Sequence, residues 1–80
     1  MEVTINDLKK ILGSTSFGKN AELLDENDSL REEGVDSLDL LDFYLNIEEH
    51  YTIKIEDEDV AGLLTLNDYK DYVSNKFNEA

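Results

Sequence analysis

Apolar and polar positions along the chain recur mostly with the 3.6-residue period of a helix. Thr4 stands where a cap would, with Asp7 three residues on, and Ile5, Leu8, Ile11 and Leu12 then fall on one face until Gly13. A second helix opens at Asp36 and Ser37 and runs to about Tyr51. A short acidic turn follows near "EDEDVAGLL", and a last helix starts at Thr65 with Asp68 behind it, its stripe made by Leu66, Tyr69, Val73 and Phe77. Alternation with period two is confined to "YTIKIE", too short and isolated for a sheet. The pattern predicts an all-α domain, a small helical bundle.

Residues 13–35 form a long connection, and loops of that length without structure are uncommon in compact domains. Leu23, Leu24 and Leu30 are expected to anchor it in the core, with a turn of helix around "NAELL". "GSTSFGKN" is expected to be its mobile part.

The helix over residues 36–51 carries two apolar stripes. At about 100° per residue, Leu40, Phe43, Tyr44, Ile47 and Tyr51 gather on one side, and Leu38, Leu41 and Leu45 on the opposite one. A bundle of this size buries only one side. The leucine stripe is therefore either covered by the long connection or exposed as a docking face rimmed by Asp39, Asp42, Glu48 and Glu49. At the start of this helix the backbone N–H groups are unpaired and the macrodipole is positive, which favours a phosphate. Asp36 can cap one donor, Gly34 permits the turn leading in, and Ser37 is left on the surface beside the leucines.

Composition narrows the chemistry. Eighty residues, 40% of them hydrophobic, suffice for one domain spanning 1–80 and one core, with little room for a deep catalytic cavity. Cysteine is absent, so no disulfide, thiolate nucleophile or zinc-finger spacing exists. No apolar run approaches a membrane span, and the N-terminus lacks the order of a signal peptide, so a cytoplasmic protein is expected, without membrane insertion. Twenty acidic against seven basic residues give a formal charge of −13. That surface repels nucleic acid and attracts basic partners.

The quoted run "GVDSLDLLDFYLNIEEHYTIKIEDEDVAGLLTLNDYKDYV" resembles the acyl carrier protein family, whose Asp-Ser-Leu signature falls on Asp36, Ser37 and Leu38. The resemblance implies a monomeric four-helix bundle of the acyl-carrier type, with a long loop between helices 1 and 2 and a short third helix. It implies 4′-phosphopantetheine, esterified to Ser37 by a phosphopantetheinyl transferase, with Asp36 beside the attachment site. Acyl groups ride on the arm as thioesters, so a chain without cysteine would still present a thiol. The face of Leu38, Asp39, Leu41, Asp42, Leu45, Glu48 and Glu49 would meet the basic docking patches of synthases and transferases in fatty-acid, lipid or related polyketide or peptide biosynthesis. Departures such as Glu56 and Glu33, where the family favours proline and an apolar residue, fit a specialised carrier as well as a housekeeping one.

Three other readings are weaker. The sole histidine, His50, lies three helical turns from Ser37, so no Ser–His pair forms and no enzyme is expected. "DENDSLREEGVD" begins like a calcium loop, but Leu30 takes the glycine position and Asp36 the final glutamate's, so no specific metal site is expected. An acidic interaction protein, such as a nucleic-acid mimic, would share the charge and the leucines but leave Ser37 bare.

Overall fold

The computed structural model describes residues 3–79, which form helices α1 (Ile5–Gly13), α2 (Ser37–Tyr51), α3 (Asp57–Val60) and α4 (Leu66–Glu79), with a 3₁₀ helix (Gly18–Leu23) after α1. Among the described residues there is no strand. The fold is the expected all-helical bundle.

Each long helix starts where its sequence provides a cap. The Thr4 hydroxyl accepts from the Asp7 N–H at 3.1 Å, and the Asp36 carboxylate accepts from the Asp39 N–H at 2.9 Å. At α4 the cap is reciprocal. Asp68 N–H donates to Thr65 Oγ1 at 3.1 Å, while Asp68 Oδ2 accepts from the N–H groups of Thr65 (3.1 Å) and Leu64 (3.0 Å). At the far end of α1, hydroxyls take over the orphan carbonyls: Ser14 Oγ donates to Ile11 O at 2.6 Å and Thr15 Oγ1 to Leu12 O at 2.5 Å.

The core joins Leu8 and Leu12 of α1, Phe43, Ile47 and Tyr51 of α2, and Leu66, Tyr69 and Val73 of α4. Phe43 and Tyr69 meet with ring centroids 4.8 Å apart and planes 60° off, an arrangement aromatic pairs favour. The inner stripe read from the α2 pattern is thus the packed one.

The connection after α1 departs from expectation at one anchor. Leu24 and Leu30 are buried, but Leu23 is 84% exposed. The turn around "NAELL" is 3₁₀, with three residues per turn, so Ala21 and Leu24 share the inner side and Leu23 points outward. Two backbone bonds fasten the rest of the connection to the α3–α4 link and the start of α4: Leu30 N to Leu64 O (2.9 Å) and Asn67 N to Glu26 O (3.0 Å). After α2, Glu48 Oε2 accepts from the Ile55 N–H at 2.8 Å, holding residues 53–56 against the helix with Ile55 inside.

Candidate functional site

The N-terminus of α2 is held from below. Val35 is buried, its N–H donates to Leu30 O at 3.0 Å, and Gly34 turns the chain with φ at +96°, a region where side chains with a Cβ are strained. A Cβ on Gly34 would meet nothing within 4 Å, so backbone conformation rather than crowding calls for glycine. Asp36 caps in extended conformation and Ser37 takes the first helical position. With its neighbour buried and the cap's side chain committed, Ser37 faces solvent.

Beside it lies a cleft of about 560 Å³ between α2 and the α3–α4 segment. Ser37, Leu38 and Leu41 line it from α2, and Leu64, Tyr69 and Arg31 from the other side and the connection. Sequence periodicity placed Leu38 and Leu41 on the outward stripe without showing that they form the lip of this opening. Arg31, the one cation between Lys19 and Lys54, had a signal in its isolation, but its place in the cleft depends on the path of the connection.

Leu38 is 71% exposed, and Leu41 and Leu45 are exposed as well. Neither the connection nor another described element covers the stripe. Of its acidic rim, Asp42 and Glu49 stand in solvent. Asp39 does not. It is only 6% exposed and accepts a hydrogen bond from the Ser16 hydroxyl, so its place on the partner face is corrected: the connection after α1 folds over it. Glu48 is half-buried and bonded to Ile55, which leaves it only partly available.

His50 is exposed at the other end of α2, its ring edge-on to Tyr51 at 4.7 Å, about 20 Å along the helix from Ser37. Among the described residues, no group of three or more His, Asp or Glu side chains could hold a metal ion, and no helix is long and apolar enough to cross a membrane. Burial pushes the Tyr69 hydroxyl up from 10 to about 12, with Tyr44 and Asp68 adding to the effect.

Comparison with known proteins decides what this arrangement belongs to. The family described as "Phosphopantetheine attachment site" matches residues 6–73. The chain is 39% identical over 70 residues to an acyl carrier protein of Nitratidesulfovibrio vulgaris, covering 86% of this chain and 91% of that one. It is 35% identical over 69 residues to an acyl carrier protein of Buchnera aphidicola, covering 86% and 87%.

The chain belongs to the acyl carrier protein family.

A third acyl carrier protein, from Coprothermobacter proteolyticus, is 30% identical over 74 residues, covering 92% of this chain and 90% of its own. Acyl carrier proteins are carriers and not enzymes, and their prosthetic group is covalently attached 4′-phosphopantetheine. That accounts for a helical bundle with an exposed serine and no histidine near it.

Proposed function

We propose that Ser37 is the attachment site of 4′-phosphopantetheine, and that residues 1–80 act as a single carrier domain holding acyl intermediates for partner enzymes. The observation that carries this reading is the exposed Ser37 hydroxyl at the first position of α2, opening onto the cleft. The surroundings fit the group. The helix N-terminus favours the phosphodiester, and Arg31 lines the same cleft as a cation in a chain of net charge −13. When attached, the arm supplies the terminal thiol on which acyl groups are carried as thioesters. Asp36 keeps the helix start formed and the serine in place.

The partners on this reading are a phosphopantetheinyl transferase and the synthases and transferases of fatty-acid, lipid or related polyketide or peptide biosynthesis, in the cytoplasm, with the carrier a monomer. They dock on Leu38, Leu41 and Leu45, steered by Asp42 and Glu49, with Glu48 secondary. Apolar contact supplies affinity there and charge supplies orientation.

Intact mass tests the reading. Protein coexpressed with a phosphopantetheinyl transferase gains about 340 Da, the mass of the arm, and folded Ser37→Ala gains nothing. No gain with the wild-type chain would favour an acidic interaction protein instead.

A further inference from the structure

Tyr69 is buried on the first turns of α4 and lines the cleft that Ser37 also lines. Its hydroxyl is sealed from solvent and has no hydrogen-bond partner. Buried polar groups are nearly always paired, because an unpaired donor has given up water for nothing. Packing against Phe43, at 4.8 Å between centroids, fixes the ring and so the position of the hydroxyl. Phenylalanine would fill this place without the penalty. Leu40, Leu63 and Val60 give the cleft apolar wall, and the polar side chains that also line it, Ser29 and Tyr44 among them, make no hydrogen bond to the Tyr69 hydroxyl.

We propose that Tyr69 selects the cargo: its hydroxyl donates a hydrogen bond to an oxygen borne along the acyl chain, so that the protein shelters hydroxy- or ketoacyl groups better than saturated chains of equal length. This rests on the carrier reading, with the cleft beside Ser37 as the place where the cargo lies. A saturated chain entering the cleft buries apolar surface but leaves the phenol unpaired. A chain with an oxygen at reach buries the same surface and satisfies it. A site built around a buried polar group discriminates strongly against the analogue that lacks the matching atom. A tyrosine phenol is protonated, and therefore a donor, at every physiological pH, and burial of Tyr69 moves its titration further from that range.

The test uses the full chain, loaded by a phosphopantetheinyl transferase with hydrolysis-resistant coenzyme A analogues bearing a saturated or a β-hydroxy acyl chain of equal length. Intact mass is read first. With loading complete, the β-hydroxy form melts about 4–8 °C above the saturated form, the shift one net hydrogen bond produces in a domain of this size. The difference disappears in Tyr69→Phe and survives in Tyr44→Phe, whose tyrosine lines the same cleft. In wild-type protein labelled with ¹³C at the tyrosine ring, the Tyr69 Cζ resonance moves with the β-hydroxy cargo and not with the saturated one, a readout independent of whether the variants fold. Equal melting of the two loaded forms, or a difference that persists in Tyr69→Phe, overturns the inference and leaves the carrier reading standing. Absence of the mass gain overturns both.

Discussion

The hydroxyl of Ser16, in the connection after α1, donates to the carboxylate of Asp39 in the first turn of α2. This bond joins two segments 23 residues apart and closes the connection over one flank of the helix that begins at Ser37. It also explains why Asp39, two residues after the signature serine, is inside.

Ser16→Ala leaves the Asp39 carboxylate buried without this donor. A loss of about 1–2 kcal/mol is expected. Urea denaturation at neutral pH measures it, and an unchanged midpoint would mean that water replaces the hydroxyl at no cost.

Thr52 ends α2 in the left-handed region, at φ 55°, the one non-glycine described residue with positive φ. A β-branched residue is poorly suited there, and the side chain is exposed. Thr52→Gly therefore stabilises by about 0.5–1 kcal/mol, the relief of strain being offset partly by greater freedom in the unfolded chain. The same denaturation curve reads the change as a midpoint moved upward at constant slope.

Alkaline pH should weaken the fold through Tyr69. Its hydroxyl titrates near 10 in the unfolded chain and at about 12 in the folded one. The folded form thus holds its proton longer, the contribution is complete below pH 10, and it is lost as pH rises toward 12. The full loss is on the order of 2–3 kcal/mol. Stability measured from pH 9 to 12 should fall in wild type and fall less steeply in Tyr69→Phe; the slope that remains reflects Tyr51 and Tyr72, which burial also raises.

Replacing Leu38 or Leu45 by alanine should leave the fold within about 0.5 kcal/mol of wild type, since both are exposed. Modification by the transferase should slow in both variants if the stripe is the docking face. Equal rates, followed by intact mass over time, would remove the stripe from that interaction.

With a formal charge of −13 over 80 residues, self-repulsion opposes the compact state. Added salt, and magnesium at millimolar levels, should raise the melting temperature. A flat response would show that the acids are already compensated.

Local chemistry along the chain was enough to place α1, α2 and α4, because caps and helical periodicity act within a few residues: Thr4, Asp36 and the Thr65–Asp68 pair each start the helix they precede. The same short-range rules put Ser37 at a helix tip and separated the inner aromatic stripe from the outer leucines. The acyl-carrier resemblance was legible for the same reason, since its signature is contiguous. Whatever depended on the path of residues 14–36 was not legible. Asp39 is buried because Ser16 comes back over it, Leu23 points outward because its turn is 3₁₀, and Arg31 reaches the cleft because Leu30 is bonded to Leu64. Periodicity marked Tyr69 as core, but only the packed structure shows that its hydroxyl lacks a partner beside the cleft. Hydrogen bonds between distant segments decide such matters, and a one-dimensional pattern carries no information about which segments meet.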